Sequence, residues 1–335
     1  MNNRVTMADV AREAGVSLMT VSRVVNNKGE VSEPTRRRIL EVIERLGYRP
    51  SGIARSLATS RTGIIGLIVP DISNPFFADL AKGVEKVAYA EGYNVFLCST
   101  EENPQRELDV LESLAEYRVD GVLTCSSRLD EKHLVDSLGF FYSAVLVNRD
   151  LENEAPSVGV VMVDDVHGGK IATNHLIDGG RRRVAFLAGP ETSHSGRRRF
   201  EGYKAALAEA GLPYTPDLVV HCDSNVEGGY DATKSLLSTH PEVDAIFCYN
   251  DLVAVGALRA CSELGASVPN DVAIVGFDDI MLAGLVTPSL TTCRIQREEV
   301  GRKAAEMLLE QMGGCSGKCE TAVFTPELVV RSSAP

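Results

Sequence analysis

From Ile64 onward the chain alternates short apolar runs with amphipathic helical stretches, and this alternation restricts the fold more than any other feature. IIGLIVP, NVFLCS, GVLTC and AVLVN make a first series; VGVVMV, RVAFLAG, LVVHC, AIFCYN and VAIVGF make a second. Short runs rich in aliphatic and β-branched residues are strands covered on both faces, and strand–helix alternation builds parallel sheets with helices on each side. The stretch 76–91 sets Leu80, Ala81, Val84, Val87 and Ala88 on one helical face. Further helices are expected near 168–176, 199–210, 227–237, 252–264 and 296–312, with a last strand over 321–330. Two series imply two α/β lobes, about 63–162 with 293–321 and about 163–292 with 322–335, together an effector-binding and dimerisation domain over 63–335.

The N-terminal residues have a different pattern. In TMADVAREAGVSLMTVSRVVN (6–26), Thr6 and Asp9 form a capping-box-like start, and Val10, Ala11 and Ala14 give an apolar stripe. Gly15 can take the left-handed conformation that ends a helix, and Ser17 can cap a second helix with Val21 and Val24 inward. This is a helix-turn-helix whose outer face, Leu18, Met19, Ser22 and Arg23, is suited to a DNA major groove. A plain helical hairpin would look similar, so charge decides. Residues 1–62 hold 11 Lys and Arg against 6 Asp and Glu, a balance of +5 in a chain of −12, which leaves −17 on the remainder. A basic head on an acidic body is the footprint of one end meeting phosphate.

After a loop at 26–30, Ser32 is expected to cap a third helix to Leu46 with Ile39, Val42, Ile43 and Leu46 inward, and Gly47 to stop it. Residues 1–50 thus form a small all-α DNA-binding domain near the lower size limit for an unaided core. Residues 51–62 follow as a hinge. Its segment 51–58 could make about two turns, too short to hold alone in water. It is either a flexible linker or a helix that forms only on DNA, with Leu57 as an apolar wedge.

In open parallel sheets, ligands sit beyond the carboxyl ends of the strands. That rule selects the loops 71–77, 148–150, 189–199, 223–225, 250–251 and 278–279, although Asn, Asp and Ser in such places also serve as helix caps. No phosphate-loop, HExxH or GxSxG pattern is present, and the six histidines lack metal-ligand spacing, so neither catalysis, a cofactor nor a metal is expected. Cys98, Cys125 and Cys248 lie in apolar runs as reduced hydrophobes, and Cys315 and Cys319 read as a surface loop. MNNRVTMADV lacks a secretory apolar run and no stretch is apolar enough to span a bilayer, so a cytoplasmic protein without membrane contact is expected. No apolar heptads follow AVFTPELVV, which favours a homodimer over a tetramer.

DVAREAGVSLMTVSRVVN, GYRPSGIARSL, IGLIVPDISNPFF, NDLVAVGAL, VPNDVAIVGFDD and TPSLTT together resemble the lactose-repressor (LacI/GalR) family of bacterial transcription regulators over nearly the whole chain. The resemblance implies a homodimer on double-stranded, pseudo-palindromic operator DNA, and a body similar to periplasmic sugar-binding proteins that closes around a small effector. It implies base contacts for Leu18, Met19 and Arg23, and phosphate contacts for Ser17, Thr20, Asn26, Ser32 and Thr35. Thr6 and the hinge residues Ala54, Arg55 and Leu57 are counted among the DNA contacts, with Leu57 in the minor groove. In the body it implies that Arg199, Asp278 and Asn250 meet the effector and that Phe76 and Phe77 form a wall, with Asp71, Asn148, Arg149, Ser193 and Ser195 as further candidates. Ser224 stands where several relatives carry a stacking aromatic, which disfavours a flat purine and favours a sugar or related polyol. Control by a protein corepressor stays open, whereas a transport receptor is disfavoured by the basic head.

Overall fold

A computed structural model describes residues 5–26, 29, 31–49, 61–151, 158–314 and 321–335, and the chain divides into a unit of Met1–Gly63 and a unit of Ile64–Pro335. The first unit is three helices, α1 (Met7–Ala14), α2 (Leu18–Val25) and α3 (Glu33–Leu46). Thr6 and Asp9 close a reciprocal capping box, and Gly15 ends α1 at φ 62°. Val10, Ala11, Ala14, Val21, Val24, Ile39, Val42 and Tyr48 make its core, with Ile43 and Leu46 half-buried at the margin. Ser32 stands at the N-cap of α3 but makes no capping bond. Its hydroxyl pairs instead with that of Thr35 at 2.9 Å, and Pro34 removes one of the amide donors a cap would serve.

The second unit carries two six-stranded sheets. The first lobe contains β1 (Ile64–Val69), α4 (Pro75–Ala90), β2 (Asn94–Ser99), α5 (Pro104–Glu116), β3 (Gly121–Cys125), α6 (Glu131–Leu138), β4 (Ala144–Val147) and β5 (Val158–Val163). The chain then enters the second lobe with α7 (Asp165–Asp178), β6 (Val184–Leu187), α8 (His194–Glu209), β7 (Val219–Val220), α9 (Val226–Thr239), β8 (Ala245–Cys248), α10 (Asp251–Leu264), β9 (Ala273–Asp278), α11 (Met281–Leu285) and β10 (Thr291–Arg294). It returns to the first lobe for α12 (Arg297–Met312) and β11 (Thr321–Phe324), and ends in the second with β12 (Glu327–Val329). The strand orders are β11-β5-β4-β3-β1-β2 and β12-β10-β9-β8-β6-β7, parallel throughout except for β12 against β10.

Three expectations change here. VGVVMV does not open the second series but closes the first, in keeping with the lobe bound near 162, because β5 pairs with β4 and β11 in the first sheet. The stretch 321–330 is two strands and not one, because the chain passes from one sheet to the other at Thr325 and Pro326, and proline cannot donate to a ladder. The lobe boundaries expected at 292/293 and 321/322 fall inside β10 and β11, each of which stays whole in its own sheet.

Three crossovers therefore join the lobes, at residues 164, 295–296 and 325–326. They are neighbours: Asp164 N–H donates to Phe324 O at 2.9 Å, and Arg294 lies opposite Glu327 in the β10–β12 ladder. Glycines let the helices around the sheets approach closely. A Cβ on Gly202 of α8 would lie 2.1 Å from Val166 O, and one on Gly169 of α7 would lie 2.2 Å from Arg199 O. Backbone thus meets backbone where α7 and α8 cross, and this contact seats the helix that carries Arg199.

Candidate functional site

In the N-terminal unit, the outer face of α2, where base contacts are expected, is exposed. Leu18 and Met19 are 53% and 64% exposed, and Arg23 is exposed with them, while Val21 and Val24 on the opposite side are buried. Leucine and methionine on such a face have no packing role within the domain. The candidate phosphate contacts sit at helix ends. Ser17 Oγ accepts from Thr20 N–H at 3.1 Å and lies 2.8 Å from Thr20 Oγ1, and Asn26 ends α2 with Nδ2 donating to Ser22 O at 2.9 Å. Thr6 and the Ser32–Thr35 hydroxyl pair mark the starts of α1 and α3. Ala54, Arg55 and Leu57 lie outside the described residues, as do Cys315 and Cys319.

In the larger unit, the strand orders reverse beside β1 and β6, and the carboxyl ends of the strands around these switch points line a cleft between the lobes. Its walls come from the segments after β1 (Asn74, Phe76, Phe77), β2 (Glu102), β3 (Ser126, Arg128) and β4 (Asn148), and after β6 (Ser195, Arg199), β7 (Ser224), β8 (Tyr249, Asn250) and β9 (Asp278). Every lining residue follows or ends a strand, as the topology requires.

Local structure fixes each of these side chains. Asn74 caps α4 by accepting from Phe76 N–H at 3.0 Å, and Phe76 and Phe77 meet edge-to-face with ring centroids 5.1 Å apart. Asn148, at φ 55°, uses Oδ1 to accept from Val163 N–H at 3.1 Å, so its amide NH₂ is the end suited to the cleft. Asn250 is committed at both ends: Oδ1 caps Val253 N–H at 2.8 Å, and Nδ2 donates to Ser224 O at 3.0 Å. Ser195 Oγ lines the cleft, is buried, and has no hydrogen-bond partner among the described residues.

The buried charges define the electrostatics. Arg199 donates from Nε to Asp165 Oδ1 at 2.8 Å and from Nη1 to Tyr249 O; it stacks 3.7 Å above the centroid of Phe277 and leaves Nη2 3.8 Å from Asp278 Oδ1. Burial opposes its charge, but Asp165 and Asp278 outweigh that and hold the guanidinium protonated. Two carboxylates thus share one guanidinium. Asp278 is held at φ 109°, a sparsely populated conformation for a non-glycine residue. Burial raises its carboxyl to about 7, although Arg199 and Arg297 pull in the opposite direction. On the first lobe, Arg128 is buried and paired with Glu102; burial works against its charge, and Tyr249 and Glu102 more than restore it.

Phe76, Phe77, Asn148, Ser195, Arg199, Asn250 and Asp278 come together in the cleft, whereas Asp71, Arg149 and Ser193 do not line it. Asp71 closes its own turn by accepting from Ser73 N–H at 2.8 Å and Ser73 Oγ at 2.7 Å. Ser193 caps α8 through Gly196 N–H and bonds Tyr249 Oη at 2.9 Å, from behind the wall. Arg149 turns to His194, 3.3 Å from Nδ1. Asn74, Glu102, Ser126, Arg128, Ser224 and Tyr249 are lining residues absent from the expected set. Glu102 follows NVFLCS, and Ser126 and Arg128 follow GVLTC, so the strand-end rule applied to those two runs would have found them.

Residues 6–51 match the family model of bacterial regulatory proteins of the lacI family, and residues 62–324 match that of periplasmic binding proteins and the sugar-binding domain of the LacI family. The chain is 36% identical over 328 residues to the HTH-type transcriptional repressor PurR of Photobacterium profundum, covering 98% of each chain. Among solved structures it is similar to a lac repressor dimer bound to operator and the anti-inducer ONPF, at TM-score 0.86 and 26% identity over 99% of each chain. It is also similar to a complex of the transcriptional regulator CelR with cellobiose, at TM-score 0.75 and 34% identity, covering 98% of this chain and 100% of that one. With both domain models matched in order along one chain, this protein belongs to the LacI family of bacterial regulatory proteins.

Proposed function

We propose that this protein is a sequence-specific transcription repressor, whose affinity for a pseudo-palindromic operator is set by a sugar or related polyol held in the interlobe cleft. The observation that carries the ligand assignment is the composition of the cleft wall. It combines two phenyl rings with amide, hydroxyl and paired charged groups, and Ser195 Oγ is buried there without a partner among the described residues. A hydroxyl-rich ligand both donates and accepts, so it can satisfy carboxylates, guanidiniums and amides at once, while its apolar ring face packs on Phe76 or Phe77. Ser224 offers no stacking surface, and the CelR relative is in complex with cellobiose.

DNA binding rests on the exposed Leu18–Met19–Arg23 face. Arg23 can donate bidentately to guanine, while Leu18 and Met19 can touch a thymine methyl. The repressor acts in the cytoplasm as a homodimer. On the first lobe, Tyr89 on α4 and Phe96 and Leu97 on β2 are exposed apolar residues at one sheet edge, suited to a second copy. Residues 1–50 dock on the operator, 51–58 order there as a hinge helix within the 51–62 hinge and linker, and 63–335 bind effector and partner. A mobility-shift titration with DNA from upstream of its own gene, with and without a panel of neutral sugars, tests the reading. Specific retardation that a sugar strengthens or weakens supports it; equal affinity for upstream and random DNA refutes it.

A further inference from the structure

The cleft holds a second carboxylate–guanidinium pair, on the lobe opposite Arg199 and Asp278. Glu101 and Glu102 have φ of 53° and 57°, and Ser126 has φ of 48°, so two loops adopt left-handed backbone at non-glycine residues to bring Glu102 against Arg128. Glu102 N–H is fixed to Pro70 O at 3.0 Å. Arg128 is 5% exposed; its Nε donates to one Glu102 oxygen and its Nη1 to Ser126 O at 3.0 Å. The other Glu102 oxygen reaches across the cleft and accepts from Ser224 Oγ of the second lobe at 3.0 Å. A buried pair of this kind adds little stability over apolar residues of the same volume, and left-handed backbone at these positions is itself unfavourable. Stability therefore does not account for it.

Resting on the reading of the cleft as the ligand site, we propose that Glu102 and Arg128 form a second recognition element, which accepts a neutral polyol and rejects its anionic ester. A ligand hydroxyl can take the place of Ser224 Oγ, donating to Glu102 while accepting from Arg128. Charge sets the class. Arg128 is neutralised by Glu102, and across the cleft Arg199 is held by Asp165 and faces Asp278, so each guanidinium lining the cleft already has a carboxylate partner. A phosphate monoester would lie beside Glu102 with both guanidiniums already paired.

The test uses the full chain with glucose, ribose, cellobiose and their phosphate monoesters, by thermal shift and calorimetry. The wild type binds at least one neutral probe, and the matching ester about tenfold or more weakly. In Glu102→Gln the charge of Arg128 is uncompensated, and the preference for the neutral form falls by about tenfold. The double variant Glu102→Gln with Arg128→Met removes both charges; it again rejects the ester but binds the neutral probe about tenfold more weakly than wild type. If Glu102→Gln fails to fold, the double variant carries the test, and unchanged neutral affinity in it overturns the proposal. An ester bound as tightly as its parent sugar, an unmoved preference in Glu102→Gln, or no neutral binding at millimolar concentration also overturns it. Arg199→Ala separates the two readings. If it abolishes binding while Glu102→Gln leaves the preference unmoved, the cleft stands and this element fails; if it has no effect on binding, both fail.

Discussion

Replacing Asp278 by asparagine should make the protein more stable relative to wild type as pH rises. In the folded chain Asp278 shares Arg199 with Asp165, and burial lifts its carboxyl to about 7 from an ordinary 3.8. Between those two values the folded state keeps a proton that the unfolded chain has lost. The stability contributed by this group is therefore fully present below the unfolded value and is lost as pH rises through the folded value. Applying linkage to the interval from about pH 5 to about pH 8 gives a loss of about 2–3 kcal/mol from Asp278 alone. Asp278→Asn removes that dependence, and titrating groups that do not interact with Asp278 cancel in the difference between the two proteins. Urea unfolding at both pH values, followed by circular dichroism and tyrosine emission because the chain has no tryptophan, measures it. The variant should gain about 2–3 kcal/mol on wild type between the lower and the higher pH. A difference that stays constant with pH would refute the argument that burial outweighs Arg199 at this carboxylate.

Four further outcomes are expected. Arg23→Ala should cost about 1–3 kcal/mol per half-site and relax preference at one base pair, whereas Thr20→Ala should weaken operator and random DNA alike; gel-shift competition with single-base operator variants reads both. Leu57→Gly should remove most operator affinity and leave sugar binding to free protein nearly unchanged, while Arg199→Ala should do the reverse; calorimetry beside operator titration decides, and wild-type operator affinity in Leu57→Gly would end the wedge assignment. Gly202→Ala places a Cβ 2.1 Å from Val166 O and should destabilise the second lobe by about 1–3 kcal/mol or more, with loss of ligand binding through Arg199; an unchanged melting temperature would contradict the close approach. Sedimentation at micromolar concentration should show a dimer, and a monomer or a stable tetramer would count against the first-lobe interface.

Much of this architecture follows from local signals that act alone. Gly15, Ser17 and the Thr6–Asp9 pair determine the helix-turn-helix whatever surrounds it, and strand–helix alternation determines parallel sheets. What was hidden depends on partners distant in sequence. Whether VGVVMV belongs with the strands before or after it is decided by pairing to β11, more than 150 residues later, and no property of the run itself records this. The cleft divides the same way. Phe76, Asn148, Arg199 and Asp278 stand at strand ends where the resemblance points, whereas Glu102 and Ser126 stand at strand ends that it does not single out, and the left-handed backbone that turns them toward the cleft at non-glycine residues is not signalled by sequence. Asp71 and Ser193 have the right residue type in the right loop, and their turn and cap roles become visible only once their hydrogen bonds are known.

The three adjacent crossovers at 164, 295–296 and 325–326 act as the knuckles of a single door hinge. One tether would let the lobes swivel about a point in any direction. Short tethers set side by side leave rotation about the line through them as the soft mode and make sliding or shear expensive. Whatever fills the cleft, its chemistry is then converted into one scalar, the opening angle. Ligands of unrelated shape would be read out identically once they impose the same angle, and a change at a crossover such as Pro326 would rescale the response to all of them together, without touching the discrimination among them.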